Sequence, residues 1–297
     1  MQLQRWMQQA LLGSRGLKWT LLPGLFFLVA FCCVCLYRAH MAAGWVSSSG
    51  ERVVIVGDVH GCADELLALL KKIGMDSQSD RLVFLGDLVG KGPKPRRVLE
   101  VAQQYQALAV QGNHEYGLLQ WRARGAPLPD PLGKISEHYA ATVAELGVED
   151  WEWLAARPYF LKLSDLGPKE SYLPTETADM PERGTGNLSA YLAEARRAPD
   201  MVLLVHAGLV PGAPPERQEA ENMVHLRTID PKSLRPSASG SGGLPWAQLW
   251  RGPELVIFGH DARRGLQQEP FALGLDTGAV YGGALTALVL PDWRLVS

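Results

Sequence analysis

From residue 52 onward, short apolar runs alternate with amphipathic stretches, and each apolar run closes on glycine and a polar residue. RVVIVGDVHG (52–61) is a β-branched run ending in Gly, Asp and His, the pattern of a buried strand and its C-terminal loop. ADELLALLKKIG (63–74) has helical periodicity and a glycine stop. RLVFLGDLVG (81–90) predicts a second strand and tip, PRRVLEVAQQY (95–105) a helix opened by proline, and ALAVQGNHE (107–115) a third strand and tip. The series reads βαβαβ. Open α/β sheets of this kind place ligands outside the carboxyl ends of their strands.

The second half continues less regularly. Residues 134–157 predict helix, with Trp151 and Trp153 as packing residues, and PYFLKL (158–163) predicts a strand. Residues 164–200 are polar and rich in Pro, Gly and Glu, which predicts a surface insertion. MVLLVHAGLVPG (201–212) returns to strand and tip, and the Ser/Gly-rich 230–245 reads as a flexible loop. Late strands follow in 255–262, 271–283, 284–292 and 294–297. The fold class expected is α/β (α+β), two packed sheets with helices outside, in one domain over 51–297.

Ahead of this domain the pattern changes. Residues 19–37 carry no charge, and at the helical rise they span roughly 28 Å, close to a bilayer core. Arg5, Arg15 and Lys18 precede the run, and Arg38 is the only basic residue immediately after it. The positive-inside rule then expects a cytoplasmic tail over 1–18, a transmembrane signal-anchor over 19–37 and a linker over 38–50. It makes the chain a single-pass membrane protein, its main body lumenal (in a vacuole or other endomembrane) or extracellular. A cleaved signal peptide competes, because HMAAGW (40–45) offers small residues. The sequon Asn187-Leu188-Ser189 fits a lumenal body.

A formal net charge of −2 gives no support for nucleic-acid binding. Cys32, Cys33 and Cys35 cluster in the apolar run, leaving Cys62 alone in the body, so a disulfide framework and a cysteine zinc site are both excluded there. Cys62 reads as a small buried residue, with a low-pKa thiol as the competing reading.

Five tips carry the chemistry: GDVHG (57–61), GD (86–87), GNHE (112–115), HAG (206–208) and GHD (259–261). They offer carboxylate, amide oxygen and imidazole, the donors of hard and borderline divalent ions, beside glycines that let the backbone turn sharply. Asp58 and His60 alternate along an extended tip and point to one side. Asp87, on the neighbouring tip, can reach two ions. Two ions about 3.5–4 Å apart acidify a water and clamp a phosphoryl group.

This ordered set resembles the calcineurin-like metallophosphoesterases of the phosphoprotein phosphatase superfamily, from residue 52 to about 290. The resemblance implies a β-sandwich flanked by helices and two divalent metal ions: zinc, manganese, iron or cobalt. It implies that Asp58, His60 and Asp87 hold the first, that Asp87, Asn113, His206 and His260 hold the second, and that His114 is the general acid. A metal-bridging hydroxide would attack in line. The superfamily's second motif usually reads GDxVDRG, whereas here it is GDLVGKG followed by Pro93, with Gly90 in place of an acid and Lys91 in place of arginine. With FGHDARRGLQ (258–267) and LDTGAVYGG (275–283), this variant resembles the ApaH-like phosphatases, relatives of symmetrical diadenosine tetraphosphatases and of a vacuolar zinc-dependent endopolyphosphatase.

The missing acid has a consequence. Either another carboxylate orients His114, or His114 is needed less. A phosphate leaving group, with a second pKa of about 6, needs little protonation, which favours phosphoanhydride substrates: polyphosphate or dinucleoside polyphosphates. Lys91 is read as a phosphate contact and Arg227 as a second, with an ordinary surface arginine as the alternative. His225 reads as structural, Asp276 as turn-forming, and Tyr281 as a cover over the metals or as packing. Two other readings stay open: a serine/threonine phosphatase acting on phosphoproteins, and an inactive scaffold of the same fold.

Overall fold

The structure is a computed structural model that describes residues 52–125, 137–163 and 202–297. The expected tail, signal-anchor and linker, the insertion over 164–200 and the sequon at Asn187 lie outside the described residues. Among the described residues, no helix is long and apolar enough to cross a membrane.

The predicted βαβαβ series is present. Strand β1 (Arg52–Val56) leads to α1 (Ala63–Ile73), β2 (Asp80–Phe84), α2 (Pro95–Gln104) and β3 (Leu108–Ala109). Helix α1 ends where Gly74 turns left-handed at φ 67°, and its N–H caps the Leu70 and Lys71 carbonyls. Proline opens α2 at its first turn. Helix α3 (Asn113–Ala123) follows β3 almost at once. The region read as helical over 134–157 holds two helices, α4 (Glu137–Glu145) and α5 (Val148–Ala155). Gly147 caps α5, its N–H bound by Asp150 Oδ2 at 2.9 Å, and this cap breaks the run.

After β4 (Phe160–Lys162) come β5 (Val202–Val205), α6 (Ala220–His225), β6 (Thr228–Ile229), β7 (Pro236–Ser237), β8 (Leu244–Pro245) and α7 (Trp246–Leu249). The chain closes with β9 (Leu255–Phe258), β10 (Gln267–Glu269), β11 (Ala272–Gly274), β12 (Ala287–Leu290) and β13 (Arg294–Val296). One sheet is ordered β13-β12-β1-β2-β3, the other β10-β11-β9-β5-β4. Strands β1, β2 and β3 are mutually parallel, with β12 antiparallel between β1 and β13; β5, β9 and β11 are mutually parallel, with β10 and β4 antiparallel at the two edges.

Alternation along the strands builds the layers. Val53 and Ile55 of β1 face Leu204, Ile257 and Leu273 of the second sheet, forming the inner core. Val54 and Val56 face outward against Leu66 and Leu70 of α1 and Val98 of α2. On the far side, Val256 and Phe258 pack on Met223, Trp246 and Trp250. A strand buried on both faces loses the polar half of the usual alternation, which is why the strand runs read as continuously apolar. The expected flexible loop over 230–245 is instead structured: β7 and β8 flank β6 in a small third sheet. Asp230 Oδ1 accepts the N–H of Lys232 and Ser233, each at 2.8 Å, which shapes the return from β6 to β7.

Candidate metal centre

The carboxyl ends of β1, β2 and β3 in one sheet and of β5 and β9 in the other come out on one rim. Asp58 and His60 follow β1, Asp87 follows β2, His206 follows β5 and His260 follows β9. Asn113 and His114 depart from the expected placement. They sit in the first turn of α3, capped by Gly112, rather than on a strand tip. A Cβ on Gly112 would lie 2.2 Å from the Asp87 nitrogen and 2.3 Å from its Oδ1, so only glycine lets these two turns touch.

Backbone bonds lock the tips together. His60 N–H donates to the Asp87 carbonyl at 2.7 Å, Gly92 N–H to the His60 carbonyl at 2.7 Å and Gly259 N–H to the His206 carbonyl at 2.8 Å. Asp58 accepts the His260 N–H at 3.0 Å, which joins the two sheets. His60, Asp87, Lys91 and His260 all hold positive φ, at 48°, 51°, 54° and 70°. Side-chain-bearing residues rarely adopt that region, and such strain gathers at functional sites.

The donors form two groups that share Asp87. In one, His60, Asp87 and His114 bring ligand atoms within 4.8 Å of one another; in the other, Asp87, His206 and His260 do so. Asp87 Oδ2 lies 3.4 Å from His60 Nε2 and 3.8 Å from His114 Nε2, while Oδ1 lies 3.4 Å from His206 Nε2. Asp58 Oδ2 reaches His60 Nε2 at 3.9 Å. Asn113 Oδ1 lies 3.0 Å from His206 Nε2 and 2.9 Å from His260 Nδ1.

These contacts fit a cation. His206 donates from Nδ1 to the Leu85 carbonyl at 2.7 Å, so Nε2 of its neutral ring is a lone pair. That lone pair faces two further acceptors, Asn113 Oδ1 and Asp87 Oδ1. Three acceptors converging without a proton are satisfied by a metal ion, and imidazole with carboxylate and amide oxygen suits a borderline divalent one. His260 Nε2 is likewise buried with no partner among the described residues.

Electrostatics agree. Burial holds His60 down to about 3 and His114 down to about 4, and it lowers His206 and His260 as well, so the rings are uncharged. Burial works to raise the Asp87 carboxyl, while the His114 backbone N–H, donating to its Oδ1 at 3.0 Å, favours the ionised form. Burial raises Asp58, with Asp276 and Asp87 adding to it. Buried carboxylates crowded among neutral rings call for positive charge.

All six expected ligands, and His114 with them, therefore meet on this rim; none is lost, as an inactive scaffold would require. Lys91 is half-buried and donates to His60 Nε2 at 3.1 Å. Arg227 lines the same cleft of about 630 Å³, its guanidinium donating to the Ala238 and His260 carbonyls at 3.1 and 3.3 Å. Tyr281 lines the same cleft as the donor groups, 65% exposed, with the Lys91 ammonium 5.1 Å from its ring centre. His225 is bonded to its own helix at the Glu221 carbonyl, 3.2 Å away. Asp276 Oδ1 accepts the Gly278 N–H at 3.1 Å as a turn former, and the residue also lines the cleft. Cys62 is buried, and burial raises its thiol pKa, which agrees with a small buried residue.

Two residues escape a reading of the sequence. Glu115 is buried and accepts the N–H of Asp87 at 2.8 Å, Gly112 at 3.0 Å and Val89 at 3.1 Å. Its place within GNHE is visible in the sequence, but its partners are not. Tyr139 of α4 puts its hydroxyl 2.6 Å from His114 Nδ1, and no sequence signal marks it. The position opposite Gly90 is thus filled by a phenol, not by another carboxylate.

The profile of the calcineurin-like phosphoesterase family matches residues 51–264. A symmetrical bis(5'-nucleosyl)-tetraphosphatase of Chromohalobacter salexigens is 31% identical, over 79% of this chain and 93% of its own. An asymmetrical bis(5'-nucleosyl)-tetraphosphatase of Anoxybacillus flavithermus is 27% identical, over 82% and 92%. A crystal structure provisionally described as a diadenosine tetraphosphatase superposes with a TM-score of 0.64 at 32% identity, covering 85% of this chain and 94% of the other. The family match runs through every donor-bearing turn from Asp58 to His260, and the chain belongs to the calcineurin-like phosphoesterases as a metal-dependent phosphohydrolase related to the diadenosine tetraphosphatases.

Proposed function

We propose that this protein hydrolyses phosphoanhydride bonds, with dinucleoside polyphosphates as its substrate class. One observation carries the reading: the Asp87 carboxylate divides, Oδ1 lying 3.4 Å from His206 Nε2 and Oδ2 3.4 Å from His60 Nε2. A carboxylate shared between two donor groups is what a close pair of divalent cations needs. Asp58, His60 and Asp87 would hold one ion, and Asp87, Asn113, His206 and His260 the other. When bound, such a pair supplies an acidified water and a clamp on phosphoryl oxygens.

The remaining work falls to side chains of this chain. Lys91 brings an ammonium to the cleft as a point charge that a linear anionic chain tolerates. Arg227, braced by two carbonyls, still has N–H groups for a second phosphate. His114 presents Nε2 on the side of Asp87 Oδ2, where it meets the departing oxygen. A cleft of about 630 Å³ lies within the size range of nucleotide-sized ligands. The tetraphosphatase relatives, symmetrical and asymmetrical, share most of this chain and support the same class. Long-chain polyphosphate offers the same bond.

The test uses the full-length protein, stripped of metal and reloaded with zinc, manganese, iron or cobalt in turn. Diadenosine tetraphosphate, long-chain polyphosphate and a phosphoserine peptide are offered, and the products are resolved by chromatography. The expected result is turnover of the tetraphosphate ahead of the peptide. Turnover of the peptide alone overturns the reading in favour of a protein phosphatase.

We also propose that the body is held to a membrane by residues 19–37. The uncharged run and the basic residues before it support this.

A further inference from the structure

We propose that Tyr139 is the positioning residue for His114, fixing its ring as the tautomer with the proton on Nε2, so that His114 serves the leaving oxygen as a hydrogen-bond donor. This inference rests on the hydrolase reading above and narrows its substrate class.

The geometry is specific. The Tyr139 hydroxyl lies 2.6 Å from His114 Nδ1, and no other hydrogen-bond partner of that atom is present among the described residues. On the opposite edge, Asp87 Oδ2 lies 3.8 Å from Nε2, and the phenol O–H has Nδ1 as its partner. Nδ1 is then the acceptor and the phenol the donor. The ring is held on two further sides: by His60, edge-on with centroids 4.5 Å apart, and by the tilted Tyr139 ring at 5.2 Å. Gly90 completes the enclosure. A Cβ there would come 2.8 Å from His114 Nδ1 and 3.3 Å from Tyr139 Cε1, at a φ of 84°. A side chain at position 90 and the Tyr139 hydroxyl compete for one space, so glycine at 90 and tyrosine at 139 form a matched pair.

The chemistry follows from what a phenol lacks. A carboxylate on Nδ1 stabilises an imidazolium and makes the histidine a proton donor in full. A neutral phenol donating to Nδ1 does not. It leaves a neutral ring with one oriented N–H, which stabilises a departing oxygen without transferring its proton. In the reaction proposed, the bridging P–O bond of the anhydride breaks, a P–O bond to water forms, the leaving phosphate departs as an anion and the water's proton passes to solvent. That balance suits anhydrides and not the alkoxide of a serine ester.

The test measures diadenosine tetraphosphate hydrolysis by the metal-loaded full chain and by Tyr139→Phe, His114→Asn and the double variant. The expected outcome for Tyr139→Phe is a kcat about tenfold lower with KM within twofold, and a double variant no slower than His114→Asn alone. A Tyr139→Phe with wild-type kcat, or losses that multiply in the double variant, overturns the proposal. ¹⁵N spectra of histidine-labelled protein give a readout independent of turnover. His114 is expected to carry its proton on Nε2 in the wild type and to lose that preference in Tyr139→Phe; an unchanged tautomer overturns the proposal. A wild type that hydrolyses no anhydride defeats the function reading, while the spectra still decide the role of Tyr139.

Discussion

Glu115 holds Asp87 by its backbone: one carboxylate oxygen accepts the Asp87 N–H at 2.8 Å and the Gly112 N–H at 3.0 Å. The residue whose side chain serves both donor groups is therefore fixed from behind by a second acid that touches neither group. Asp87 sits at φ 51°, a conformation that persists only when its surroundings insist on it.

Replacing that acid by its amide tests the clamp. Glu115→Gln keeps the shape but turns an NH2 toward buried N–H donors, and each buried group left unpaired costs about 1–3 kcal/mol. A fall in unfolding free energy of about 2 kcal/mol or more is expected in urea titration, together with lower metal content. A stability equal to wild type would show that Asp87 holds its turn unaided.

Asp87→Asn addresses the shared ligand. The amide has one acceptor oxygen where the carboxylate has two, and the variant loses the charge that both groups rely on. Turnover is expected to drop at least a hundredfold while circular dichroism stays native and bound metal falls below two ions per chain. Substantial residual activity would count against the shared-ligand assignment.

Arg227 is braced at Ala238 and His260 and faces the cleft. In Arg227→Ala, KM for diadenosine tetraphosphate is expected to rise about fivefold or more, with a smaller change in kcat, as for a contact made equally in ground and transition states. Unchanged kinetics would leave this arginine a brace for the 236–240 segment only.

The proposed membrane anchor gives a prediction of its own. Expressed in a eukaryotic cell, the full chain is expected to stay with membranes after alkaline carbonate extraction. Asn187→Gln is then expected to remove a glycosidase-sensitive mobility shift. Release by carbonate would refute the anchor over 19–37.

Much of this site is legible in the sequence because its ligands stand where strands stop. A β-branched run that ends in glycine and Asp or His announces a tip, as at Asp58, Asp87, His206 and His260. What the pattern misses has physical causes. Strand β3 is only two residues long, so Gly112 starts a helix where alternation predicts a tip, and Asn113 and His114 ride on that helix. The third sheet is made of two-residue ladders, too short for any period, and its Ser/Gly composition imitates a loop. Tyr139 reaches His114 only through the packing of a separate helix, and no local signal in the chain encodes that meeting.

The two sheets divide the donor set between them. Asp58, His60, Asp87 and Asn113 belong to the first, whereas His206 and His260 belong to the second. The set proposed for the first ion lies wholly in the first half, whereas the set for the second spans both, so tight capture of that second ion has to wait until the sandwich has closed. An ion bound there would act as a rivet across the seam. By mass action, an ion at a hundred times its dissociation constant adds about 2.7 kcal/mol to the closed form, which makes the supply of metal a control on how long the assembled enzyme survives.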